Sequence, residues 1–296
     1  MSRRPRICDY GDSTYRTDFW EGQGRDYEDA VERLALRRLL KQPGKRMLEI
    51  GAGFGRLTSE YSMYGQVVLL DYSLEQLQFA RERYGDDGYV YVAADAYQMP
   101  FCLGAFDGAT MIRVIHHFVD VPAVLAQINR VVVGGGQFIL EFANKRNLKA
   151  MLWHALGRNG WNPYAPEAVE FVELNFNFHP ASMRQETAAA GFSLRGHIPV
   201  SWLRLGALKR NLPTRLLVSL DTFFQRSALA YSPSIFLDLQ RQGDCPLAAA
   251  DTDDPQAFLR CPRTGSTLQR QGDSLVSANG LRWGIKAGVY DFRQPI

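Results

Sequence analysis

Met47-Leu48-Glu49-Ile50-Gly51-Ala52-Gly53-Phe54-Gly55-Arg56 is the stretch whose reading decides the fold. An apolar strand runs straight into three glycines at alternate positions. Without a Cβ these residues adopt positive φ and let the backbone approach a ligand closely. Leu57-Thr58-Ser59-Glu60-Tyr61 then reads as the start of a helix, whose first N–H groups would point at a bound polar group. A dinucleotide-binding turn needs a third glycine where this chain has Arg56. Twenty residues after Gly51, Asp71 closes the apolar run Val67-Val68-Leu69-Leu70, a place from which a carboxylate can accept hydrogen bonds from both ribose hydroxyls.

Outward from this turn, the pattern alternates. Residues 28–40 carry Val31, Leu34, Ala35, Leu39 and Leu40 at helical spacing and stop before Pro43-Gly44. From Arg46 to Phe142, strand and helix patterns follow one another, which predicts a mostly parallel sheet covered by helices on both faces. Ligands of such sheets bind at the carboxyl ends of the strands. Glu49, Asp71, Asp95 and Arg113 all fall at or near those ends.

Further motifs lie in order along the same segment. Val90-Tyr91-Val92-Ala93-Ala94-Asp95-Ala96 reads as a third strand ending in an acid, and Phe106-Asp107-Gly108-Ala109-Thr110-Met111-Ile112 as a fourth. A helix and turn, Leu125 to Gly136, lead into a fifth. Together with Glu49–Gly55 and Leu69-Leu70-Asp71-Tyr72-Ser73, these five stretches over roughly residues 27–142 resemble the motifs of the class I S-adenosylmethionine (SAM) methyltransferases, with a core similar to the enzymes of ubiquinone and menaquinone biosynthesis. The resemblance implies a Rossmann-like, seven-stranded, mostly parallel sheet with helices on both faces, and SAM as the cofactor. It also implies roles. Gly51, Ala52, Gly53 and Gly55 would contact the methionine part through the backbone, and Glu49 would orient the loop or meet the amino group. Asp71 would bind ribose and Asp95 the adenine amine, with Tyr72 and Ala96 packed on the ring. Arg113 would lie near the methionine carboxylate or the acceptor.

SAM carries a sulfonium, so methyl transfer is an in-line displacement that asks for alignment and a dry site more than for elaborate acid–base machinery. His116 and His117 follow the fourth strand, and either could accept a proton from an acceptor hydroxyl.

Beyond Phe142 the alternation breaks. Residues 148–156 read as a short helix, 169–178 as one half-buried strand, 182–190 as a helix, and 192–199 and 234–239 as the sixth and seventh strands, closing the sheet by an antiparallel hairpin. Residues 143–233 include an acceptor-side insertion. Trp153, Trp161, Tyr164, Phe176, Phe178, His179 and Trp202 are its candidates to wall an acceptor pocket. Residues 142–241 hold 12 basic against 6 acidic side chains, and the rest of the chain has no such excess. Lys145, Arg146, Lys149, Arg204, Lys209, Arg210 and Arg215 could therefore face an anionic group, or simply form a solvated surface.

Residues 255–296 read as a small β-rich unit set apart from the methyltransferase region 27–241 by a polar linker, 242–254; residues 1–26 form an N-terminal segment. Asn279-Gly280 signals a tight hairpin. The stretches 259–268 and 275–292 resemble the small zinc-ribbon-like protein that activates methyltransferases in trans. Zinc-binding members have a second cysteine where this chain has Thr264, and Cys261 alone cannot complete a four-ligand site, so no metal is expected.

Cys8, Cys102, Cys245 and Cys261 form no close pair, which predicts reduced thiols. No apolar run approaches a membrane span, and basic Met1–Arg6 leads to Asp9 and Asp12 rather than a hydrophobic signal segment; a cytoplasmic location is expected. The aromatic-rich insertion and nearly balanced charge favour a small-molecule acceptor over RNA or a translation factor. The oligomeric state is left open. Two other readings share these residues: a nucleotide-dependent oxidoreductase, which would want glycine at position 56 and a second dinucleotide half, and a non-catalytic SAM-binding protein.

Overall fold

A computed structural model describes residues 24–296, so Cys8 and the features read in residues 1–23 lie outside the described residues. The first helix, α1 (Asp26–Leu39), has Asp26, Glu28 and Asp29 in its first turn and Arg37 and Arg38 in its last, matching the helix dipole. It turns Tyr27, Val31, Ala35 and Leu36 inward.

Five parallel strands follow: β1 (Gly44–Ile50), β2 (Tyr64–Asp71), β3 (Tyr89–Ala93), β4 (Phe106–Met111) and β5 (Val132–Ala143). Helices α2 (Leu74–Tyr84) and α3 (Val121–Val131) make two of the crossovers. Between β1 and β2 the expected helix is a single 3₁₀ turn, Thr58–Tyr61, because β2 already begins at Tyr64. Next come α4 (Leu148–Ala155), β6 (Val169–Val172), β7 (Asn175–Asn177), α5 (Pro180–Ala189), β8 (Phe192–Val200), α6 (Gly206–Asn211), α7 (Thr214–Phe224) and β9 (Ser234–Arg241). The predicted single strand 169–178 is thus a hairpin, turning through Leu174 at φ 53°. β9 pairs antiparallel with both β5 and β8, which completes the seven strands in the order β3-β2-β1-β4-β5-β9-β8.

The sheet does not stop at β3. Four more strands, β10 (Leu268–Gln271), β11 (Ser274–Ser277), β12 (Arg282–Lys286) and β13 (Val289–Asp291), form an antiparallel ribbon whose last member pairs parallel with β3. The result is one sheet of eleven strands. Residues 255–296, read from sequence as a separate unit, therefore share the core. So small a ribbon cannot bury its own apolar face. Phe258 instead packs its ring 6.0 Å from that of Phe106, and Cys102 N donates to the Phe258 carbonyl at 2.8 Å. Leu259, Leu275, Trp283 and Phe292 belong to the same buried cluster as Leu48, Ile50, Val68 and Leu70. The other side chains of those strands, Met47, Val67 and Leu69, join α1 and α2 on the opposite face.

The linker 242–254 is likewise tied down, crossing beneath the amino ends of the strands. Gly134 N donates to Cys245 O at 2.8 Å, Ala248 N to Gly104 O at 2.8 Å, and the Gln66 amide to Asp253 O at 2.9 Å. Buried Arg46 donates to the carbonyls of Ala105 and Ala248 at 2.8 Å and also to that of Ala249. No helix among the described residues is long and apolar enough to cross a membrane.

Candidate active site

A cleft with about 1090 Å³ of space free of protein atoms opens at the carboxyl ends of β1 to β4, opposite the linker. The β1 turn supplies Glu49, Gly51, Ala52 and Gly53; Asp71 and Tyr72 come from the end of β2, Asp95 and Ala96 from the end of β3, and Arg113 and His117 from beyond β4. Gly51, Gly53 and Gly55 have φ of 69°, 54° and 75°. At Gly51 a Cβ would come within 2.2 Å of Val114 Cγ2, so the strand crossing demands glycine there. The turn is pinned from two sides. Gly51 N and Ala52 N both donate to Leu70 O, at 2.7 and 3.1 Å, and Gly53 N donates to Asp71 Oδ2 at 2.7 Å. Asp71 Oδ1 also accepts from Ser73 N at 2.8 Å, at the N-cap of α2.

Glu49 is nearly enclosed. It accepts from Thr58 Oγ1 at 2.5 Å, and Tyr61 links it onward to Thr110 at 2.9 Å. Burial pushes its pKa up to about 7, against the lowering effect of the Thr58 bond. Asp95 accepts from Tyr97 N at 2.8 Å and so caps the short turn that follows β3.

Arg113 stands in the left-handed region at φ 60°, a conformation costing about 1–2 kcal/mol for a residue with a side chain. Its surroundings hold it there. Arg113 N donates to Glu141 Oε2 at 2.7 Å, Glu141 accepts from Ser234 Oγ at 2.5 Å, and Arg113 Nε donates to Glu32 Oε1 at 2.7 Å. Arg56 from the glycine turn reaches the same Glu32 at 2.8 Å and Asp29 at 2.6 Å. Burial alone would raise the Glu32 pKa, but Arg113 and Arg56 hold it below the usual carboxylate value.

The two histidines divide. His117 lines the cleft, whereas His116 is not among the lining residues and lies against it, ring centres 4.1 Å apart. His117 Nδ1 is 2.9 Å from Leu174 O, the turn of the β6–β7 hairpin. A carbonyl can only accept, so Nδ1 carries the proton and Nε2 is the basic nitrogen. Burial lowers the His117 pKa despite that bond, which keeps the ring neutral at neutral pH.

A model described as a methyltransferase domain matches residues 48–140. A ubiquinone/menaquinone biosynthesis C-methyltransferase of Teredinibacter turnerae is 35% identical over 115 residues, covering 36% of this chain and 46% of that protein, so the chain spans about half the length of this relative. The enzyme of the same name from Shewanella piezotolerans is 32% identical over 186 residues, 54% of this chain and 71% of that protein. The chain belongs to the class I SAM-dependent methyltransferases. Its fold is similar to that of a SAM-dependent methyltransferase of Thermotoga maritima, with a TM-score of 0.57 and 16% identity over 79% of this chain and 98% of that one.

In this chain the expected residues are brought together unevenly. Glu49, Gly51, Ala52, Gly53, Asp71, Tyr72, Asp95, Ala96, Arg113 and His117 share the cleft. Gly55 does not line it; the Tyr84 ring packs where a Gly55 Cβ would go and its hydroxyl donates to Gly55 O at 2.8 Å. The insertion aromatics are elsewhere as well, each with a local partner. Trp202 packs on Phe224 at 5.6 Å, Tyr164 on His154 at 6.0 Å, Phe178 enters the core, and His179 caps α5. The basic residues are partly internal: buried Lys145 donates to the carbonyls of Ala165 and Glu167, and Lys209 pairs with Glu28 at 2.8 Å. Tyr97 and Phe118, an edge-on pair 5.1 Å apart, and Arg56 also line the cleft. Sequence reading used Arg56 only as a missing glycine and passed over the other two, whose sole signal was their closeness to Asp95 and His117. Among the described residues, no three His, Cys, Asp or Glu side chains come together as a metal-ligand group, and Cys102, Cys245 and Cys261 are free.

Proposed function

We propose that this chain transfers a methyl group from SAM to a ring carbon of a small, hydroquinone-like acceptor. The observation that carries the reading is the convergence of a glycine turn, Asp71, Asp95 and His117 on one cleft. Two observations support a fit to the cofactor: Gly53 faces open space, where a Cβ would meet no atom within 4 Å, and Asp71 and Asp95 follow adjacent strands, from which they would meet ribose and adenine. SAM, when bound, supplies an electrophilic methyl on a sulfonium. Asp71 and the turn it pins would orient the nucleoside, Glu49 would meet the amino group as its carboxylate, and Arg113 would face the methionine carboxylate or the acceptor. His117 Nε2 would take the acceptor's hydroxyl proton, raising electron density on the ring carbon, which would bond to the methyl in line as the methyl–sulfur bond breaks and would then lose its own proton to solvent.

The names of the relatives support a quinone-type acceptor. Within this proposal, residues 27–241 are the catalytic region and 255–296 a metal-free counterpart of the activator ribbon; a cytoplasmic location belongs to it too. The test is transfer of labelled methyl from SAM to a hydroquinone lacking one ring methyl, with His117→Ala expected to lower the rate at least 100-fold. No transfer by the unaltered chain to any hydroquinone would reject the acceptor class.

A further inference from the structure

A second, smaller cavity lies between the ribbon and the ends of β2 and β3, and it shares Tyr72 and Asp95 with the cleft. Its opposite wall is made by Arg263, Trp283 and Arg293. The ribbon therefore reaches the side of the cleft where the nucleoside is expected.

The register that brings it there is exact in residues. β13 pairs Asp291 with Ala93, and Phe292 N donates to Ala93 O at 2.7 Å, so the chain leaves the sheet beside Asp95. Buried Asp291 then grips Arg293 with both oxygens, each at 2.9 Å, while Lys286 adds a third bond at 2.8 Å. So held, the Arg293 guanidinium sits 5.9 Å from the centre of the Tyr72 ring. A cation fixed over an aromatic face limits the ring's rotation and attracts it.

We propose that Arg293 is a positioning residue for the cofactor, acting through Tyr72, so that the C-terminal ribbon sets the affinity of the cleft for SAM. This rests on the reading of Tyr72 as a wall of the SAM site. Arg293 need not touch the cofactor. It holds the ring in the place where an adenosine would meet it, and an already ordered ring loses less freedom on binding.

Equilibrium titration of the full-length chain with SAM tests this. Arg293→Ala should weaken binding about five-fold, the size of a single cation–π contact, at a temperature where thermal melts show the variant still folded despite the lost Asp291 pair. Arg293→Lys, which keeps the cation, should recover most of the loss. In a Tyr72→Ala background the further change Arg293→Ala should cost nothing, whereas in Tyr72→Phe it should cost as much as in the parent. Equal affinity of Arg293→Ala and the parent would overturn the inference, and so would a loss that persists undiminished in Tyr72→Ala. A parent chain that fails to bind SAM would reject the reading of the cleft itself, a result distinguishable from either.

Discussion

Glu32, wholly buried on α1, accepts from Arg113 Nε at 2.7 Å and so ties the first helix to the segment after β4. Because Arg56 pairs with the same carboxylate, one acid fixes two arginines of the cleft that come from different loops. Glu32→Gln keeps the shape and removes the charge. Breaking a buried pair from one side costs about 3–5 kcal/mol, and some solvent reaches both arginines, so a loss of about 2–3 kcal/mol is expected in urea unfolding. A loss under 0.5 kcal/mol would show that the clamp contributes nothing to stability.

The pH dependence of stability should carry two opposite contributions. Glu32 has a folded pKa below its ordinary value, so its contribution is present at neutral pH and fades as acid protonates it. Glu49 has a folded pKa of about 7, above its ordinary 4.5, so its contribution is full below about pH 4.5 and is lost as pH rises through 7. That loss is on the order of 3 kcal/mol. Unfolding measured from pH 5 to 8 should show the decline in the parent and not in Glu49→Gln.

Cofactor affinity should move the other way with pH. If the Glu49 carboxylate meets the SAM ammonium, binding needs the deprotonated acid and should tighten about ten-fold from pH 6 to 8, following the fraction ionised around a pKa near 7. Glu49→Gln should bind weakly at both pH values. Calorimetric titration decides, and a flat profile in the parent would remove Glu49 from the binding residues.

The glycines of the turn should fail differently. Gly51→Ala drives a methyl into Val114 at a positive φ, so it should lower stability by more than about 3 kcal/mol. Gly53→Ala meets no atom, so it should keep the fold at a cost near 1 kcal/mol and yet lose SAM affinity ten-fold or more. Thermal melts with and without SAM separate these outcomes.

Phe258 joins the ribbon to the core against Phe101 and Phe106. Phe258→Ala should cost about 3–5 kcal/mol in a single unfolding transition seen by all probes. Two transitions would mean that the ribbon and the rest of the sheet melt separately.

Local patterns made much of this legible. Glycine spacing and apolar runs ending in Asp71 and Asp95 are written within a few residues of one another, and they place β1 to β5 and the cleft. Features that pair distant residues left no such mark. Glu32 meets Arg113 across 81 positions, and Arg46 meets Ala248 across 202. Periodicity sees neither. The 169–178 segment alternates on both sides of Leu174, and a leucine at positive φ carries none of the signs by which Asn-Gly or Asp-Gly would announce a hairpin. The insertion aromatics misled for another reason: aromatic content shows how much surface must be buried, and not which surface it will meet.

The tether from β9 to the ribbon has a quantitative consequence. A strand held on the same chain faces its partner at an effective concentration of the order of millimolar, whatever the concentration of the protein. The outer edge of β3 is therefore covered equally in a dilute assay and in a crowded cell, with no partner to titrate and no stoichiometry to balance. Cleavage within residues 242–254 would turn that fixed closure into an ordinary association equilibrium, and the sheet edge would acquire a dependence on dilution that the intact chain lacks.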